Sequence, residues 1–229
     1  MGLSIAVATG LYGVSFGALA VASGLSVAQA MALSLLMFTG GSQFAFIGVL
    51  AGGGSAGAAV GAATLLGVRN GVYGLQLKPV LGLRGWRQVL AAQLTIDEST
   101  AVALAQQGSA RQRVGFWATG WAVYVFWNAM TLAGALLGNA LGDPKAWGLD
   151  AAASGAFIAL LWPRLTTPAA RGIALAAGAV ALLATPLVPP GIPILLAALV
   201  AVLAGSRPGR FGPAPTDEGD ELTSVEPRP

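Results

Sequence analysis

The stretch Ala91-Ala-Gln-Leu-Thr-Ile-Asp-Glu-Ser-Thr100 places two adjacent carboxylates, Asp97 and Glu98, in a run that is otherwise typical of a membrane interior. A second apolar run upstream is interrupted by Arg69. At about 1.5 Å per helical residue, Arg69 lies about 13 Å from Lys78, near the middle of a bilayer. A charge at that depth costs at least about 2.5 kcal/mol, so the three side chains are predicted to share one polar site inside the protein.

The composition is that of an integral membrane protein. Of 229 residues, 55% are hydrophobic and only 9% are charged, whereas a soluble domain carries about 25% charged residues. The chain has no Cys and no His, which excludes disulfides, thiolate nucleophiles, His-ligated zinc and Ser-His proteases. The net charge of +3 comes from bases at segment ends, which does not indicate nucleic-acid binding. We therefore expect neither an enzyme nor a cofactor or metal site.

The apolar segments predict the fold class, an all-α integral membrane protein. Helices satisfy their own backbone hydrogen bonds in lipid, and several segments are shorter than the roughly 20 residues of a straight span. The prediction is a polytopic helical bundle of about seven segments with broken or re-entrant helices. Seven or eight segments are apparent: 3–23, 29–50, 56–77, 89–107, 114–138, 149–162, 172–187 and 191–204.

Basic residues in the loops indicate how the segments are oriented. They cluster at 78–87, 111–113, 164–171 and 207–210. All four clusters fall on the cytoplasmic side only if the segment 89–107 enters and leaves the membrane from the same face. We therefore predict that this segment is re-entrant and that the loop 139–148 lies outside the cell.

The last residues differ in character from the rest. Residues 207–229 hold five Pro and five acidic residues and almost nothing apolar, which is typical of disorder. The predicted division is a transmembrane domain over 1–206 and a disordered, acidic, Pro-rich tail over 207–229.

Helical spacing groups the polar residues around the buried charges. Gln93, Asp97 and Thr100 are predicted to share one helical face, and so are Arg69 and Tyr73. If Arg69 pairs with one carboxylate, the other is left over, and a desolvated carboxylate can hold a proton. The alternative is an amphipathic helix at the membrane interface, with both acids in water.

Two glycine-rich stretches, Tyr12-Gly-Val-Ser-Phe-Gly17 and Thr39-Gly-Gly-Ser-Gln-Phe44, lie in the middle of apolar segments. Glycine loosens a helix, and the exposed backbone groups can bind a zwitterion, its ammonium at carbonyls and its carboxylate at a helix N-terminus. The alternative is close helix packing, because small residues four apart let two helices approach each other.

Four motifs together carry a resemblance to a known family. They are Tyr12-Gly-Val-Ser-Phe-Gly-Ala-Leu-Ala20, Phe38-Thr-Gly-Gly-Ser-Gln-Phe44, Val68-Arg-Asn-Gly-Val-Tyr-Gly74 and Leu94-Thr-Ile-Asp-Glu-Ser99. In this order and spacing they resemble the AzlC family of branched-chain amino acid permeases, over about residues 1–205. The resemblance implies a multi-pass protein of the plasma (inner) membrane that exports branched-chain and related apolar amino acids. It also implies a separate partner, a small hydrophobic AzlD-type membrane subunit.

The resemblance carries over a set of candidate substrate-binding and translocation residues. Those matched by motif are Gly13, Phe16, Gly17, Gly41, Ser42, Gln43, Arg69, Tyr73, Thr95, Asp97 and Glu98. Asn70, next to the arginine, and Gln93, from the helical face above, complete the predicted site.

This chain departs from the family pattern at three places. The family commonly has His directly after the arginine and Asn or Asp two residues before it, but here these positions hold Asn70 and Gly67. The Pro that often precedes the first glycine motif is also missing. Without that His, the family pattern provides no basis for a proton relay at position 70, and the substrate preference is expected to differ.

We interpret the chain as a permease that moves a small zwitterionic amino acid by alternating access, with Phe16 and Phe44 against the substrate's apolar part. A non-transporting membrane scaffold subunit is the alternative from another class. Import or channel activity for another small solute is a third reading. In a scaffold, loss of one buried charge should abolish folding, whereas a permease should stay folded and stop moving solute.

Overall fold

The computed structural model describes residues 2–140, 158, 161–162, 165–189 and 191–205. All regular structure within these ranges is helical, which confirms the all-α prediction. Two of the described helices, α1 and α7, are long and apolar enough to cross a bilayer. That the chain has about seven membrane segments stays a prediction. The helices of four or more residues with described bounds are α1 Gly2–Ala22, α2 Val27–Leu36, α3 Gly40–Ala51, α4 Ala56–Leu81, α5 Trp86–Gln93, α6 Asp97–Leu104, α7 Ser109–Ala140, α8 Pro168–Ala184 and α9 Ile192–Gly205.

Two of the predicted segments are each broken into a pair of short helices. The segment 29–50 forms α2 and α3, with a break at residues 37–39, as the glycine-rich motif there predicts. The segment 89–107 forms α5 and α6, with a break at residues 94–96. Ser99 stabilises this second break, because its hydroxyl accepts a hydrogen bond from the Ile96 N–H at 3.1 Å and donates one to the Leu94 carbonyl at 2.6 Å.

The second break contradicts one prediction. Gln93 and Asp97 were expected on one continuous helical face, but they end α5 and begin α6 respectively. The Gln93 amide instead donates to the Leu35 carbonyl at 2.8 Å, at the end of α2. Whether the pair α5–α6 is re-entrant stays a prediction.

The first glycine-rich stretch does not interrupt its helix, so the prediction of a loosened helix at residues 12–17 is wrong. α1 is continuous from Gly2 to Ala22, and its glycines pack against α7. A Cβ added at Gly13 would lie 2.6 Å from the Trp127 carbonyl oxygen, and one at Gly17 would overlap the Thr131 carbonyl oxygen. The backbones of α1 and α7 therefore touch over most of their length, as small residues allow.

Capping residues mark both ends of α4, the helix that carries Arg69. The Ser55 hydroxyl accepts a hydrogen bond from the Ala58 N–H at 3.2 Å, which caps the N-terminus. Gly82 ends the helix with φ +60°, and its N–H donates to the Lys78 carbonyl at 3.0 Å. The helix thus extends four residues beyond the predicted end at residue 77.

The last two described helices form a hairpin that packs on α3 and α4 through α9. Gly191 precedes α9 with φ +93°, and a Cβ there would lie 2.7 Å from Ala58 Cβ and 2.8 Å from Val49 Cγ1. Further along, a Leu195 methyl lies 3.8 Å from the Cβ position of Gly61. α9 therefore runs parallel to the first half of α4.

Three predictions concern residues outside the described part of the chain. They are the segment 149–162 apart from residues 158 and 161–162, the loop 139–148 beyond residue 140, and the tail 207–229.

Candidate functional site

A cleft of about 790 Å³ lies between α1, α3, α4, α6, α7 and α9. It is mostly apolar, with polar groups contributed where the short helices α3 and α6 begin. The size is that of a small-molecule site, which typically measures about 300–1,000 Å³. Its polar or glycine lining residues are Thr9, Tyr12, Thr39, Gly40, Gly41, Arg69, Asp97 and Glu98.

An ion pair crosses this cleft. Arg69 Nη1 lies 2.9 Å from Asp97 Oδ2, and the two side chains are 31% and 29% exposed. The predicted pairing of Arg69 with one of the two carboxylates is thereby confirmed. Gly41 provides the space for the guanidinium, because a Cβ there would lie 2.9 Å from Arg69 Nη2.

Glu98 is the second carboxylate of the cleft. Its Oε1 accepts a long hydrogen bond, 3.4 Å, from the Thr9 hydroxyl of α1. Both acids lie in the first turn of α6, where the helix dipole favours negative charge. Among the described lining residues there is one cation, Arg69, for two carboxylates, so the cleft can compensate a further positive charge.

The beginning of α3 also opens on the cleft. Thr39 precedes the helix, and its side chain makes no capping hydrogen bond. The first N–H groups of a helix have no acceptor within it, so at Gly40 and Gly41 they are available to an anion. Because Arg69 contacts Gly41, the cleft places a guanidinium beside these N–H groups.

Gln43 holds the break between α2 and α3 together. Its side-chain amide donates to the Met37 carbonyl at 2.7 Å, and its Oε1 accepts a hydrogen bond from Trp127 Nε1 at 3.0 Å. Gln43 is fully buried and does not line the cleft. Its place in the structure is therefore that of a brace between α3 and α7.

Aromatic side chains form one wall of the cleft. Phe44 and Trp127 line it, with ring centroids 6.4 Å apart. Phe16, the other aromatic residue predicted to contact a substrate, lies behind them. It is fully buried, 5.8 Å from the Phe44 ring and 6.2 Å from the Trp127 ring, and it does not line the cleft.

The structure places other predicted site residues away from the cleft. Gly13 and Gly17 lie between α1 and α7, and Gln93 contacts the end of α2. The Thr95 hydroxyl donates to a carbonyl of α5 at 2.7 Å. For these four residues, the observed contacts are structural ones.

Asn70 and Tyr73 are half-buried on α4 and do not line the cleft either. Conversely, most lining residues are absent from the predicted set, among them Thr9, Tyr12 and Trp127. Thr9 and Tyr12 are three residues apart on α1, so they share one helical face. This spacing could have predicted a polar face there from the sequence alone. Nothing local distinguishes Trp127 from the other aromatic residues of α7.

Among residues 2–140 and the described parts that follow, no three His, Cys, Asp or Glu side chains come together as a metal site. The cleft itself offers ionic and hydrogen-bonding groups. It can hold a small molecule that carries both charges.

Apolar helices and a half-buried ion pair beside two helix breaks define a helical membrane protein with an internal polar site. Residues 4–141 match the family described as AzlC protein, which is more than half of the chain. The chain therefore belongs to the AzlC family, and the predicted membership is confirmed. This family is associated with membrane transport, which agrees with a non-enzymatic role. No curated protein and no solved structure matches the chain.

The family match ends at residue 141, whereas the motifs suggested a resemblance up to about residue 205. α8 and α9 thus lie outside the matched residues. At Gly67, one of the positions where the chain departs from the family pattern, the structure shows what a side chain would meet. A Cβ at Gly67 would lie 3.5 Å from the Ser42 hydroxyl, which is buried and has no hydrogen-bond partner among the described residues. A polar side chain at position 67 would project toward that hydroxyl.

Proposed function

We propose that this protein is a multi-pass plasma-membrane permease that exports branched-chain or related apolar amino acids. The observation that supports this proposal most directly is the grouping of Arg69, Asp97 and Glu98 in one largely apolar cleft, beside the start of α3. An amino acid is a zwitterion, so its site needs both signs of charge within a few ångströms, and an apolar surface for its side chain.

The charged groups suggest how the backbone of the substrate is held. Its carboxylate binds Arg69 and the free N–H groups at Gly40 and Gly41, as anions bind at half-helix N-termini in transporters. Its ammonium binds Glu98, the carboxylate that Arg69 does not pair with. The apolar side chain lies against Phe44 and Trp127 on the same cleft.

Glu98 also supplies a route to proton coupling. When the substrate's ammonium leaves, the carboxylate loses its compensating charge, and binding a proton restores neutrality in an apolar surrounding. The substrate and the proton thereby compete for one group, so proton entry from one side favours substrate release on the other.

The proposal includes a partner, a small hydrophobic AzlD-type membrane subunit. α4 offers it an apolar surface, since Val68, Val72 and Leu75 are each more than half exposed in the described chain. Gly71 between them leaves open space, which would let a second helix approach closely.

The first experiment is efflux of labelled leucine, valine and methionine from cells that express the chain, with and without the small subunit. Arg69→Gln and Asp97→Asn are expected to lower efflux at least tenfold while the protein still reaches the membrane. Arg84→Gln is the matched control, because Arg84 is exposed and does not line the cleft, and its efflux should equal that of the wild type.

The same variants separate the permease from a scaffold. If both neutralised variants disappear from the membrane together with all activity, the ion pair serves folding. That result would favour a non-transporting scaffold subunit. If the wild type moves none of the three amino acids with either subunit arrangement, the proposed substrate is wrong.

Proton coupling has a separate test. Efflux by the wild type is expected to change between pH 5 and pH 8. Glu98→Gln should lower efflux, because it loses the charge that binds the ammonium, and the efflux that is left should not depend on pH, because an amide does not titrate. A Glu98→Gln variant whose pH profile matches that of the wild type would rule out Glu98 as the proton carrier.

A further inference from the structure

α9 contributes one wall of the cleft although it lies outside the residues that match the family. Its contacts come from Ile194, Ala197 and Ala198. These positions are three and four residues apart, so they share one helical face. Two of the three are alanines, which leave space in front of the helix, and the third presents a branched apolar side chain.

The position of this face along α4 follows from two contacts. Gly191 lies beside Ala58, and Leu195 lies beside Gly61, so the helices are parallel with nearly matched rise. Continued at the same rate, Ala198 is level with residues 63–64 of α4. Arg69 is five to six residues further on, or about 8–9 Å along the axis.

That distance matters because a substrate held at its charged end must place its side chain elsewhere in the cleft. The face of α9 lies about one and a half helical turns along the axis from Arg69 and is apolar. We infer that Ile194, Ala197 and Ala198 form the surface that contacts the substrate's apolar side chain and sets the size that the permease accepts. This inference rests on the proposed function, since it concerns the same cleft.

The test measures the ratio of leucine efflux to alanine efflux in cells that express the full chain with the small subunit. Ala198→Leu places a branched side chain in the space that we assign to the substrate. A mismatch of about one methylene in an apolar pocket changes selectivity 10-fold to 200-fold, so the ratio is expected to fall at least about 10-fold. Ala201→Leu is the matched control, since Ala201 is exposed on the same helix and does not line the cleft, and its ratio should stay within about twofold of the wild type.

Ile194→Ala provides a second, independent variant in case Ala198→Leu does not reach the membrane. It removes apolar contact from the same wall, so leucine efflux should fall while alanine efflux is retained. An unchanged ratio in whichever of the two variants is expressed overturns the inference. An equal loss of both substrates also overturns it, because α9 would then serve folding alone. If the wild type moves neither amino acid, the proposed function itself fails, which is a different result from an unchanged ratio.

Discussion

Gly17→Ala is expected to destabilise the protein because it forces α1 and α7 apart. A Cβ at this position would overlap the Thr131 carbonyl oxygen and lie 2.6 Å from the Ala135 nitrogen. Both are backbone atoms, which cannot rotate away as a flexible side chain would. Restoring an ordinary contact of 3.4 Å to the Ala135 nitrogen alone requires α1 to withdraw by roughly 0.8 Å, and clearing the Thr131 carbonyl oxygen requires more. Overpacking costs about 1–3 kcal/mol, and the upper end of about 3 kcal/mol applies here because both atoms belong to the backbone; the gain in helix propensity returns about 0.5–1 kcal/mol.

The net expectation is a loss of about 2 kcal/mol in the free energy of unfolding. For a chain of this size that lowers the melting temperature by roughly 4–8 °C, measured by thermal unfolding of the purified protein in detergent. Gly71→Ala is the matched control, because a Cβ at Gly71 meets nothing within 4 Å and only the propensity gain applies. Its melting temperature should equal or slightly exceed that of the wild type.

One result would refute this reasoning. If Gly17→Ala unfolds at the wild-type temperature but no longer exports amino acids, Gly17 serves the substrate path and not the contact with α7. The reading of the first glycine motif as a loosened helix would then regain support.

Three further predictions concern the cleft and its supports. Gly41→Ala displaces the guanidinium of Arg69, a flexible group, so stability should fall by less than about 1 kcal/mol while efflux drops several-fold, as unfolding and efflux assays can check. Gln43→Leu leaves the Trp127 indole N–H without its acceptor, which should cost about 1–3 kcal/mol in unfolding measurements, and a stable variant would contradict the bracing role. In a double-mutant cycle, Arg69→Gln and Asp97→Asn should couple by about 1–2 kcal/mol, below the value for a fully buried pair because each side chain is about 30% exposed, and additive effects would show that the pair is not formed.

The buried charges were the most predictable part of the site. Arg69 and Asp97 are costly in lipid, and the physical need to pair them is independent of how the chain folds around them. The pairing could therefore be inferred from their positions alone. The break at residues 94–96 could not be, since Leu94, Thr95 and Ile96 include neither Gly nor Pro, and the hydroxyl that stabilises the break comes from Ser99.

The two glycine motifs show why similar local patterns led to different outcomes. The glycines at 40 and 41 begin a new helix, while Gly13 and Gly17 remain inside a continuous one. The difference comes from the partner, because α7 presents its own small residues to α1 and makes close packing favourable. Trp127 was absent from the predicted site because its role also depends on neighbouring helices. Its place in the cleft depends on which face of α7 the neighbouring helices leave open, and that is a property of the assembled fold.

The contact between α1 and α7 also constrains the order of events during synthesis. Gly134 packs directly on the backbone of Val14, so 120 residues separate the two surfaces in the chain. At about 5–20 residues per second, a ribosome needs some 6–24 s to cover that distance. During that interval α7, which packs on the glycine face of α1 in the complete fold, has not yet been synthesised. Any nascent fragment that ends before α7 therefore leaves the glycine face of α1 uncovered by the helix that packs on it in the complete fold.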